Sequence, residues 1–172
     1  MFEMRGSEIA LASDPAAQRG DARLVFIGFI RSPWSSREAC PKNMREARER
    51  GRPADVEILP AFHQGLLGLE VASPIAVLTW LHHAPRNLIV QKPRHASEAK
   101  GVFALRTPVR PNPVGLHVAQ LLEIDRENGM LRLDAIDVLD GTPVIDIKPF
   151  FPSADTIPDR LAERPAGNRQ SA

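Results

Sequence analysis

Proline interrupts this chain too often for a helical fold. Sixteen prolines and eleven glycines are spread over 172 residues. Proline lacks a backbone N–H and breaks a helix interior, and glycine weakens one. The stretches between them are short, which calls for strands joined by turns. The punctuation is densest in Gly101-Val102-Phe103-Ala104-Leu105-Arg106-Thr107-Pro108-Val109-Arg110-Pro111-Asn112-Pro113-Val114-Gly115-Leu116. It reads as a short strand, a rigid loop and the start of a second strand. Pro111 and Pro113 hold Asn112 extended, with its amide aimed in a set direction. Gly115 lets a backbone or ligand approach closely. Two cations on so stiff a loop, Arg106 and Arg110, suit an anion better than a core.

Apolar patterning supplies the other strands. Leu24–Ile30 reads as a buried strand, Val56–Leu59 as a half-buried one, and Pro74–Leu81 and Asn87–Val90 as two more. Leu116–Ile124 and Leu131–Val138 flank a Glu127-Asn128-Gly129 hairpin turn, and Val144–Lys148 is the last strand. Helix is limited to a turn or two between Glu38 and Arg50 and a short element at Ala61–Leu69. Leu66, Leu67 and Leu69 are its expected core contacts. With about seven or eight strands and little helix, the fold class is mainly β: a small antiparallel-rich β-barrel with short helices. Residues 1–22 are expected to be a flexible tail, 23–152 a single barrel domain, and 153–172 a second tail.

Composition excludes several functions. The formal net charge is +1, so nucleic-acid binding needs local patches rather than a global field. Aromatics make up 5% with no tyrosine, too few for a base-stacking platform. The single Cys40 excludes an internal disulfide and fits a reducing compartment. No apolar run approaches the ~20 residues of a membrane span. The N-terminal stretch has no signal core, so a cytoplasmic protein is expected. Cys40, His82, His83 and His95 lack metal-ligand spacing, and no metal is expected.

Two long motifs, the 101–116 stretch and Asp137-Val138-Leu139-Asp140-Gly141-Thr142-Pro143-Val144-Ile145-Asp146-Ile147-Lys148-Pro149-Phe150, resemble one family. It is the TrmO (TsaA, YaeB-like) family of S-adenosylmethionine-dependent tRNA methyltransferases. Ile27-Gly28-Phe29-Ile30-Arg31-Ser32-Pro33 resembles its first strand and loop. The likeness covers roughly Leu24 to Pro152. It implies a compact barrel, not a Rossmann fold, in agreement with the lack of a GxGxxG after the first strand. It implies S-adenosylmethionine as cofactor, tRNA as partner and a homodimer. The implied reaction is methylation of N6 of N6-threonylcarbamoyladenosine beside the anticodon.

By the same resemblance, Pro41, Lys42, Asn43, His82, His83, Arg106, Leu116, Asp134, Ala135, Ile136 and Asp137 surround the cofactor. Arg110 and Asn112 are assigned to the substrate, although residue type alone does not rank the two arginines. On a strand, His82 and His83 would point to opposite faces, as would Asp134 and Asp137. Asp140 is expected to cap its own turn, and Asp146 to pair with Lys148. Methyl transfer from a sulfonium asks mainly for positioning. No catalytic base is identified. Near-neutral charge and the absence of the C-terminal domain of longer members motivate an alternative: a barrel that binds S-adenosylmethionine or RNA without catalysis.

Overall fold

The computed structural model describes residues 7, 9–11, 23–93 and 96–156. Its strands in chain order are β1 (Ile9–Ala10), β2 (Gly28–Arg31), β3 (Ala54–Ile58), β4 (Pro74–Trp80), β5 (Leu88–Gln91), β6 (Lys100–Gly101), β7 (Val114–Asp125), β8 (Met130–Leu133) and β9 (Pro143–Pro149). Among the described residues, helix is confined to α1 (Met44–Glu49), α2 (Pro152–Asp155) and two 3-10 segments. Six strands close into an antiparallel barrel in the order β2-β3-β8-β7-β4-β9. The small sheet β1-β5-β6 stands apart from it. The mainly β barrel expected from the punctuation is therefore the observed fold.

Strand alternation builds the core. β3 buries Ala54, Val56 and Ile58, and β4 buries Ile75, Val77 and Thr79. β7 turns Gly115, His117, Ala119 and Leu121 inward. Each fully buried leucine, such as Leu121, Leu131 or Leu133, contributes about 1.5–3 kcal/mol through burial. The β7–β8 hairpin turns at Gly129 with φ 68, a left-handed conformation that glycine adopts without strain. Trp34 closes one end of the barrel, and its Nε1 donates to the Ile136 carbonyl at 2.8 Å.

Several local expectations are corrected. The strand expected over Leu131–Val138 ends at Leu133. Asp134 stops it: its N–H donates to the Gln120 carbonyl at 3.0 Å while its Oδ1 accepts from the Gln120 N–H at 2.7 Å. A side chain thus completes the ladder, and residues 135–138 leave the sheet to bury Ala135, Ile136 and Val138. Asp134 and Asp137 therefore do not occupy two faces of one strand. The strand expected over Leu24–Ile30 is only β2, and Leu24, Val25 and Phe26 are exposed. Of the three leucines assigned to the core, Leu66 is buried, Leu69 packs at its edge, and Leu67 is 83% exposed. Residues Val102–Ala104 form a 3-10 turn instead of a strand, because only Val102 finds cover there.

Asp140 does not cap its own turn, for its Oδ1 accepts from the Ser32 N–H at 3.0 Å. Asp146 and Lys148 do pair, at 2.7 Å. In the expected N-terminal tail, Ile9 and Ala10 pair with β5. Most of both expected tails, and His95, lie outside the described residues.

Candidate functional site

Antiparallel pairing sends every loop carrying a candidate residue to one end of the barrel. The C-termini of β2 and β4 and the N-termini of β3, β7 and β9 share that end. The segments that follow or precede them hold residues 32–43, His82–His83, the 105–113 loop and residues 134–142.

Within the 105–113 loop the arginines act differently. Arg110 donates from Nε to the Thr107 carbonyl at 2.9 Å, and from its NH2 to the carbonyls of Val102 (2.8 Å) and Leu105. Arg86 donates to the Pro111 carbonyl at 2.7 Å while lying 5.3 Å from the Trp80 ring centroid. Its NH2 also reaches the Asn112 side-chain oxygen at 3.4 Å. These cations satisfy carbonyls that proline-rich backbone leaves without ladder partners. Arg106 stays exposed and donates to the Leu116 carbonyl at 3.0 Å.

That contact marks an open strand edge. Leu121 exchanges backbone bonds with Ser73 and Ala72, so odd-numbered positions of β7 direct their polar groups toward β4. Gln120 bonds Asp134 on the other side. Yet β8 pairs with β7 only between Leu121 and Asp125. Among the described residues, the edge at Leu116 and Val118 therefore has no neighbouring strand. Arg106 takes the Leu116 carbonyl and Arg48 takes that of Val118 at 2.6 Å. The N–H groups of Leu116 and Val118 face the same gap and meet no acceptor among the described residues. Paired backbone groups are the rule, so such an edge invites a hydrogen-bonding ligand.

The surrounding candidates have defined places. Asn43 is the N-cap of α1: its Oδ1 accepts the Glu46 N–H at 2.9 Å, and the Glu46 carboxylate accepts the Lys42 N–H at 3.1 Å. Pro41 is buried and Lys42 exposed. Arg48 links α1 to the gap, with its Nε 2.8 Å from Asp134 Oδ2. Ala135 and Ile136 are buried, so only their backbone can reach a ligand. His82 and His83 lie in the turn after β4 with ring centroids 3.7 Å apart, not on opposite strand faces. The Leu81 N–H donates to the Pro113 carbonyl at 2.8 Å, which ties that turn to the loop.

Burial, then the charge of His83, pushes the His82 pKa below its ordinary 6.5. The unfolded chain binds more protons, so stability is full above that value and declines as pH falls below it. The melting temperature should drop on acidification through this range, and by less in His82→Asn. An equal drop in both proteins would remove His82 as a source.

A buried triad lies beside the gap and includes residues the sequence did not single out. Thr79, fully buried, has its Oγ1 2.9 Å from His117 Nε2. His117 is 5% exposed, and its Nδ1 is 2.6 Å from Asp137 Oδ1. Gly115, paired with Thr79 across the sheet, leaves space for this chain of bonds. Polar residues in the inward phase of β4 and β7 were the available signal for Thr79 and His117. Nearby, burial first and then the charge of Asp137 push the Cys40 thiol up to about 11, so it is not a thiolate nucleophile near neutrality.

Among the described residues, no three His, Cys, Asp or Glu side chains are grouped to hold a metal ion. No helix of the described residues is long and apolar enough to cross a membrane.

Comparison with known proteins gives consistent matches. The profile of the tRNA-methyltransferase O N-terminal domain matches residues 29–156. The chain is 38% identical to VirR of Rhizobium radiobacter, described as a probable S-adenosyl-L-methionine-binding protein, over 85% of this chain and 79% of that one. It is 33% identical to the tRNA (adenine(37)-N6)-methyltransferase of Escherichia coli, over 79% of this chain and 60% of that enzyme. A crystal structure of TrmO from Pseudomonas aeruginosa superposes with a TM-score of 0.63 at 35% identity, covering 81% of this chain and 60% of that one. The chain thus spans less than two thirds of the last two proteins.

Proposed function

The chain belongs to the tRNA-methyltransferase O family, and on that premise we propose that it binds S-adenosylmethionine and methylates an adenine of tRNA. The acceptor we favour is N6 of N6-threonylcarbamoyladenosine beside the anticodon. The observation that carries the reading is the open edge of β7, walled by Arg106, Arg48 and the 134–137 segment. The residues fit the cofactor's chemistry. Two backbone N–H groups face the gap, Arg106 offers a cation for a carboxylate, and Asp137 offers an anion for a positive centre.

S-adenosylmethionine supplies an electrophilic methyl group on a sulfonium. The chain's part is to hold donor and acceptor in line and keep water out. In this reading Leu116 and the backbone of Ala135 and Ile136 contact the adenosine portion. Arg106 meets the cofactor's carboxylate, and Pro41, Lys42, Asn43, His82 and His83 border it. Arg110 shapes the loop that presents Asn112 to the substrate. A homodimer is part of the proposal. Leu78 and Trp80 of β4 lie beside Leu116 and Val114 of β7 on the outer surface, an apolar strip suited to a second copy. The cytoplasm, where tRNA is modified, is the proposed location.

The test is calorimetry of S-adenosylmethionine on the wild type and Arg106→Ala, then mass analysis of incubated tRNA. Wild-type binding weakened about tenfold or more by the substitution supports the site, since a charge-assisted contact contributes about 1.5–3 kcal/mol. No binding to the wild type rejects it. A second reading, favoured by the description of VirR as a binding protein, is a barrel that binds S-adenosylmethionine without catalysis. A methylated adenine product on tRNA eliminates that reading.

A further inference from the structure

The carboxylates at the loop end of the barrel are not equivalent. Asp134 gives Oδ1 to the Gln120 N–H and Oδ2 to Arg48. Asp140 gives Oδ1 to the Ser32 N–H. Both serve the backbone that carries the site. Asp137 differs: its side chain is 17% exposed, and its partner is an imidazole rather than a lysine or arginine. Among the described residues no donor reaches its Oδ2. Its second oxygen is therefore open to accept from a positive group.

His117 holds that carboxylate in one orientation. Thr79 is fully buried, and its hydroxyl finds His117 Nε2 as its partner. With the hydroxyl donating to Nε2, the ring proton resides on Nδ1 and donates to Asp137 Oδ1. Every polar atom in the chain Thr79–His117–Asp137 is then satisfied except Asp137 Oδ2. No buried side-chain polar atom of the described residues lacks a partner, so the unpaired Oδ2 is the oxygen that solvent or a ligand reaches. The Asp137 carboxylate, which only accepts, places the ring proton on Nδ1, Thr79 holds the other ring nitrogen, and Oδ2 is left to the site. The bonds to β4 and β7 make the placement rigid, because both strands belong to the barrel wall.

We propose that His117, fixed by Thr79, is a positioning residue that presents the Asp137 carboxylate to a cationic centre of the bound cofactor. This rests on the reading that the chain binds S-adenosylmethionine. The cofactor has two such centres, the sulfonium and the α-ammonium. The demethylated product, S-adenosylhomocysteine, keeps only the ammonium.

The experiment measures affinities of both compounds by calorimetry for wild type, Asp137→Asn, His117→Leu and His117→Asn. Asp137→Asn and His117→Leu should each weaken S-adenosylmethionine binding about tenfold, the scale of one charge-assisted contact. If the homocysteine compound is unaffected, Asp137 faces the sulfonium. If both weaken equally, it faces the ammonium. His117→Asn should recover most of the loss, because its amide nitrogen reaches the position of Nδ1 and donates to Oδ1. Wild-type affinity for both compounds in a folded His117→Leu protein overturns the proposal, as does failure of His117→Asn to exceed His117→Leu. Should His117→Leu fail to fold, Thr79→Val decides instead. It removes the partner of Nε2 and so the hold on the ring, and undiminished binding there also overturns the proposal. A wild type that binds neither compound fails at the first step and takes the functional reading down with it.

Discussion

Trp34→Ala is expected to lower folding stability by about 3–5 kcal/mol, the range for deleting a large core aromatic. The indole is buried against the barrel core. Its Nε1 is the donor to the Ile136 carbonyl, and the guanidinium groups of Arg50 and Arg52 each sit 5.3 Å from its ring. The substitution opens a cavity, orphans a buried carbonyl and releases two cations at once. Trp34→Phe isolates the donor, because it fills most of the volume; the expected cost is about 1–3 kcal/mol for the unpaired carbonyl. Urea unfolding checks both. A Trp34→Ala loss of under about 1 kcal/mol would contradict the role assigned to the indole. The effect should reach the site, since Ile136 belongs to the segment that walls the β7 gap.

Gly115→Val is expected to cost about 1–3 kcal/mol by overpacking, and to disable the site beyond that loss. A Cβ at position 115 would lie 2.4 Å from Thr79 Oγ1 and 2.5 Å from His117 Nε2. Both groups are buried between barrel strands and cannot swing clear. Relief requires breaking the Thr79–His117 bond or parting β4 from β7. The measurement pairs an unfolding curve with cofactor affinity at a temperature where the variant is folded. A folded variant with wild-type affinity would show that the space beside Gly115 serves only packing.

The strands that end in turns with clear chemistry were legible. β3 alternates, β4 is an apolar run of strand length, and the Asn128-Gly129 turn marks the hairpin between β7 and β8. The candidate loops were legible as well, because stiff proline spacing and two arginines are visible without a fold. The contacts those arginines make were not. Arg110 turns back on the backbone of its own loop, whereas Arg106 reaches β7, and a residue list does not separate them. Asp134 looked like one more polar position in an alternating run. It ends the strand because its carboxylate can reach Gln120, a neighbour set by the β7–β8 register. His117 was one residue within the expected strand Leu116–Ile124. Its importance comes from Asp137, 20 positions later, and Thr79, 38 positions earlier.

Local chemistry in the sequence determined the mainly β character, the places where the chain turns, and which segments proline makes stiff. These follow from proline's fixed φ, from alternation and from turn residues, which act over a few positions. Only the tertiary structure decided that β8 stops short and leaves part of the β7 edge open. It alone brings Thr79, His117 and Asp137 into one line of hydrogen bonds. Those outcomes depend on barrel closure and register, in which a shift of one residue turns every side chain to the other face.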